Sequence, residues 1–135
     1  MGQQQLLLIV LGVIIVGIAV VVGINVFTAS STQANRDAVI ADLTNLASLA
    51  QQHYRKPAPL GGGGQAFDDS KGGQAWEIPP QLETTGNGTY VISAISDESV
   101  TLVGTGTELG NDGTNPVKVT MIVGPNQITS TTIDN

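Results

Sequence analysis

The sequence predicts an α+β protein: one long N-terminal helix, apolar in its first half and amphipathic in its second, packed on a C-terminal antiparallel sheet of about four strands. Three observations lead there. Residues Leu6 to Phe27 form an apolar run without a single charge. Beyond it, Val39, Leu43, Leu46, Ala50 and Tyr54 recur at intervals of three and four, the spacing of a helix with one buried side. Most of the remaining C-terminal segment consists of four strand-like runs separated by turn residues.

With 135 residues, there is enough chain for one modest head and one helix but not for two globular cores. The expected division is a helix over 1–54, with a stem at 5–27 and an amphipathic half at 28–54. A glycine-rich loop follows at 55–75, then a β head at 76–135. All charged residues lie at Arg36 or later, so the net charge of -6 belongs to the part after the stem. The five basic residues are scattered rather than clustered, which disfavours nucleic acid as a partner, because a phosphate-binding face needs a positive patch. Cysteine is absent, so packing alone must hold the head.

The stem reads LLLIVLGVIIVGIAVVVGINVF. As a helix its 22 or so residues would be roughly 33 Å long, the thickness of a hydrocarbon core. Its many β-branched residues are poor helix formers in water, but lipid leaves an isolated segment no other way to pair its backbone. A cleavable secretory signal is disfavoured by the length of the run and by the absence of Lys or Arg before it, although Thr28-Ala29-Ser30 could pass for a cleavage site. An ordinary single-span anchor has the same hydrophobicity. The flanks therefore carry the distinction. Before the run stands Met1-Gly2-Gln3-Gln4-Gln5, polar and uncharged. After it the helical pattern continues without a proline until Pro57 and Pro59 end it. A single helix from about Gln3 to Tyr54 would be roughly 78 Å long.

This order of short polar start, long apolar helix, amphipathic continuation and β-rich head resembles the type IV pilins and the related pseudopilins. The resemblance implies a structural subunit, not an enzyme, that polymerises with copies of itself into a helical filament at the cell surface after storage as a single-pass inner-membrane protein. Pilus assembly machinery and a prepilin peptidase are the further partners it implies. That peptidase cuts after a Gly preceding the apolar run, and Gly2 stands in that place, giving a chain beginning at Gln3; alternatively Met1 is the mature start after a leader. The family's acidic residue near the mature end is replaced here by Gln5 or Leu7, depending on the start. Amides can bond between subunits without a net charge to desolvate, so Gln3, Gln4 and Gln5 are assigned to axial register in its place. Gly12, Gly17 and Gly23 punctuate the stem, and Ala19 with Gly23 forms a small-xxx-small pair that lets helices approach closely. The resemblance further marks Gly17 to Gly23 as a segment that stretches on assembly.

Lys56 to about Gln74 contains Gly61-Gly62-Gly63-Gly64 and Gly72-Gly73 and is expected to be a flexible connection outside the core, pinned by Phe67 and Trp76. No Lys-Ser/Thr follows the glycines, so it is not a phosphate-binding loop. The expected strands are Thr89 to Ser96, Ser99 to Gly104, Pro116 to Val123 and Gln127 to Ile133, in a meander turned at Asp97-Glu98, Gly110-Asn111-Asp112-Gly113 and Gly124-Pro125-Asn126. One sheet face should cover the stripe of Val39, Leu43, Leu46, Ala50 and Tyr54.

Residues for catalysis, a cofactor or a metal are not evident. His53 is the one histidine, without the partners of a triad or a metal centre. Asp68-Asp69 and Asn111-Asp112 lack the ordered spacing of a calcium loop and sit beside glycines, where Asp and Asn favour turns. Asn87-Gly88-Thr89 matches the glycosylation pattern. The few aromatics are scattered, against electron conduction. Two other functions share the architecture: a minor pilin or pseudopilin serving a secretion or assembly machine, and a membrane-anchored binding module working through its loop or sheet edge.

Overall fold

The computed structural model describes residues 2–135. Helix α1 spans Gly2–Arg55 without interruption. A 3-10 turn at Ala58–Leu60 and a short helix α2 at Pro80–Glu83 follow it. Strands β1 (Gly88–Ile95), β2 (Val100–Leu109), β3 (Pro116–Val123) and β4 (Ile128–Ile133) then form one antiparallel sheet in the order β1-β2-β3-β4. The expected α+β meander is thus the observed fold, with helix and strand boundaries close to those read from the sequence.

The alternation of Val117, Val119, Met121 and Val123 on β3 sends all four to one side, where they meet Val100 and Leu102 of β2 and Tyr90 of β1. From the helix, Val39, Leu43, Leu46, Ala47 and Ala50 fill the same core. Each large apolar side chain taken out of water there contributes about 1.5–3 kcal/mol. Helix α1 lies against β2 and β3; β4 is outside its cover, and Ile128 and Ile133 stay partly exposed.

Strand β2 departs from expectation by running through Gly104 and Gly106 to Leu109. Those glycines read as a strand end in the sequence, but they are hollows under the helix. A Cβ on Gly104 would stand 2.7 Å from Val39 Cγ1, and one on Gly106 would collide with Asn35 Oδ1. Close approach of another element is a recognised reason for strand glycine.

The glycine-rich connection also departs from expectation. Gly62, Gly63 and Ala66 are buried and Phe67 is fully so. Its backbone is bonded to the helix end, Gly63 N–H to His53 O at 2.9 Å and Gln65 N–H to Tyr54 O at 2.8 Å. Trp76 N–H donates to Phe67 O at 2.7 Å and Phe67 N–H to Asp97 O at 3.0 Å, so the two aromatics pin the segment as expected. Glycine serves here to let backbones touch: a Cβ on Gly73 would lie 2.5 Å from Gly63 C. Tyr54, assigned to the sheet-facing stripe, is half-buried with its ring 5.0 Å from that of Phe67, so it joins helix to loop as well as to the core.

Candidate functional site: the stem and its junction with the head

Every residue from Gly2 to Ser30 is exposed in the isolated chain. Seventeen large apolar side chains between Leu6 and Phe27 are each more than half exposed. Leaving them in water would cost on the order of 20 kcal/mol, more than the net stability of a typical domain. The stem is therefore covered in use, and it is long and apolar enough to cross a membrane.

Gln3, Gln4, Gln5, Gly12, Gly17, Ala19 and Gly23 all lie on this uncovered helix, and a Cβ on Gly2, Gly12, Gly17 or Gly23 would meet nothing. Nothing within the chain requires glycine there. At about 100° per residue, Gln5, Gly12, Ala19 and Gly23 fall on one face, whereas Gln3, Gln4 and Gly17 point elsewhere. The same face continues through Ser30, Ala34, Ala41 and Ser48, all exposed, and is opposite Val39, Leu43, Leu46 and Ala50. The side of α1 away from the sheet thus carries a recurring series of small residues from Gly12 to Ser48, interrupted by Val16 and flanked by Ile9 and Phe27. The segment Gly17 to Gly23 is regular helix in the single chain.

Where stem becomes head, two consecutive polar side chains are buried. Asn35 is 8 % exposed; its Oδ1 accepts from Thr107 N–H at 3.1 Å and Glu108 N–H at 3.2 Å, and its Nδ2 donates to Asn87 O at 2.9 Å. Arg36 donates through one terminal nitrogen to Gln33 Oε1 at 3.2 Å and through the other to Asn111 Oδ1 at 2.9 Å. Thr32 adds a bond to Leu109 O at 2.8 Å. About two turns further on, Asp42 Oδ2 accepts from Tyr90 Oη at 2.5 Å, Thr85 Oγ1 at 3.0 Å and Asn87 Nδ2 at 3.1 Å. Burial raises the Asp42 pKa, yet these three donors together outweigh it and hold the carboxyl below its usual range. Burial, then the bond to Asp42, pushes the Tyr90 phenol up. These contacts fix how the helix leaves the head.

None of Asn35, Arg36 and Asp42 was singled out by the sequence pattern, since polar residues on a helix read as solvated. The available signal was position: Asn35, Asp42 and Arg36 fall within or beside the arc of the apolar stripe. His53 bonds through Nε2 to Gln74 O at 2.6 Å and so ties the loop to the helix. Asp68 and Asp112, weighed as calcium ligands, cap turns instead. Asp112 accepts backbone N–H bonds from Thr114 and Asn115, both at 2.9 Å, and further bonds from the side chains of Asn115 and Asn135; these hold its pKa far below normal. Among the described residues no cluster of three or more His, Cys, Asp or Glu could hold a metal. The Asn87 amide is occupied by Asp42 and half-buried, so sugar transfer to it would first have to break that bond. No protein-family model, curated protein or solved structure matches the chain.

Proposed function

We propose that this chain is the structural subunit of a pilin-like helical filament, held in a membrane by its stem before assembly and packed stem to stem afterwards. The observation that carries the reading is the uninterrupted α1 helix, one half docked on the sheet and the other wholly uncovered. A simple anchor needs no rigid continuation into its head, and a flexible linker would serve it. A filament subunit does need one, because the angle of each head to the axis must repeat from copy to copy. The small-residue series opposite the sheet supports the same reading, since it lets neighbouring helices approach on the side that keeps heads outward. Apolar contact between stems then replaces lipid as the cover for the exposed side chains.

The test is electron microscopy of the full chain after removal of detergent. Regular filaments that vanish when Gly12 and Gly23 are both replaced by Leu are the expected result. A chain that remains monomeric at high concentration without detergent would overturn the proposal.

A further inference from the structure

The Arg36 guanidinium is an unusual place for a charge. The residue is only 9 % exposed, and its two hydrogen bonds go to neutral amides of Gln33 and Asn111. Its Nε is buried with no partner. A guanidinium has five N–H donors, so these bonds use two. The Gln33 amide is itself held from its other end by Asp37, Nε2 to Oδ1 at 2.9 Å, so the Asp37 carboxylate meets the cation only through that amide. A buried charge is costly unless an opposite charge meets it.

Arg36 stands at the head end of a cleft that runs down the helix past Thr32 and Thr28 to Asn25, with Asn111 across from it. Asn25 lies in the last turn of the apolar run. If Leu6–Phe27 fills the hydrocarbon, Arg36 Cα is about 14 Å beyond Phe27 along the axis, and a helical side chain leans back toward its own N-terminus. The headgroup layer extends about 5–8 Å from the hydrocarbon. The cleft therefore spans the depth of the headgroups, and its polar wall faces them.

From this we infer that the cleft between Asn25 and Arg36 is a binding site for the phosphate of a net-anionic membrane phospholipid, with Arg36 as the charged donor and Thr28, Thr32 and Asn111 lining it. Guanidinium is suited to phosphate because its planar donors match the oxygens in pairs. The inference rests on the membrane-embedded stage of the proposed function and is independent of polymerisation. Such a site would fix the depth and rotation of the stem in the bilayer.

The full chain in detergent micelles is mixed with phosphatidylcholine, with or without phosphatidylglycerol, and ejected from the mixed micelles for native mass spectrometry; a second sample is reconstituted into phosphatidylcholine vesicles for flotation. The expected result is retention of one phosphatidylglycerol in preference to phosphatidylcholine. Arg36→Gln should lower that retention about tenfold or more, as for loss of a charge-assisted bond, while Arg55→Gln, at the far end of the helix, should leave it unchanged. Arg36→Lys should retain the lipid at an intermediate level. Absence of any preference in the unaltered chain overturns the inference whatever the variants do. So does equal retention by Arg36→Gln, or displacement of the lipid by millimolar inorganic phosphate, which would mark a site for free anions. Failure of the unaltered chain to float with phosphatidylcholine vesicles would instead overturn the membrane stage itself. Loss of self-association in Arg36→Gln with lipid retention intact would reassign the cation to a neighbouring subunit.

Discussion

Replacing Gly104 by Ala probes the closest approach of helix to sheet. The new Cβ would stand 2.7 Å from Val39 Cγ1 and 3.0 Å from Tyr90 Cε1, well inside ordinary contact. Overpacking of this kind costs about 1–3 kcal/mol, offset by about 0.4–1 kcal/mol because Ala restricts the unfolded chain. A net loss of about 1–2 kcal/mol is expected. Val39→Ala removes two methyl groups from a fully buried site, which costs about 2 kcal/mol with the cavity included. The two changes are complementary in space: the methyl added at position 104 enters the hole left at position 39. The double variant should therefore be less destabilised than the sum by about 1 kcal/mol or more, the size of coupling found between touching residues. Contact with the Tyr90 ring keeps the compensation incomplete. Trp76 is the single tryptophan and lies in the same core, so its fluorescence during urea unfolding of the full chain in detergent reports the head. Additivity within about 0.3 kcal/mol would refute the claim that Val39 is what requires glycine at position 104.

Asp42, Asp68 and Asp112 all have carboxyl pKa values below the usual range. Their unfolded forms take up protons first, so the stability they contribute is present above about pH 4 and lost as pH falls below it. Urea midpoints at neutral pH and near pH 3 should converge partly in Asp42→Asn, and an unchanged acid loss would remove Asp42 from that account. Asn35→Leu strands two backbone N–H groups and one carbonyl, and should cost about 2 kcal/mol or more in the same urea assay; near-neutral behaviour would mean that water replaces those bonds. Gly12→Leu and Gly23→Leu meet no atom of their own chain, so head stability in detergent should stay within about 0.5 kcal/mol while filament yield falls; a parallel loss of head stability would show that the stem and head are coupled in a way the contacts do not reveal.

The legible parts of the fold were those written as periodicity. An uncharged apolar run of membrane length can have few uses, and the three-and-four spacing of Val39, Leu43, Leu46 and Ala50 allowed only one buried side. Strand β3 was readable to the residue because a period of two fixes which side chains face the core. Glycine was the misleading letter. At Gly104, Gly106, Gly62 and Gly73 the local sequence reads as flexibility or termination, yet what glycine provides there is room for a second piece of backbone or a helix side chain: Val39 and Asn35, far away in the chain, at Gly104 and Gly106, and the backbone of Lys56 and Gly63, in a nearby turn, at Gly62 and Gly73.

The sequence by itself determined that a greasy helix leads into an acidic β head, because burial and hydrogen bonding leave those residue patterns no other stable arrangement. Only the tertiary structure decided which polar residues of the helix are tied into the head. Asn35, Arg36 and Asp42 look like ordinary solvated positions until the loops at Asn87, Thr107 and Asn111 are brought over them. Likewise the small residues became a directed face only once the sheet was seen to occupy the other side of α1. Orientation of one element against another depends on contacts between distant segments, and no local pattern encodes it.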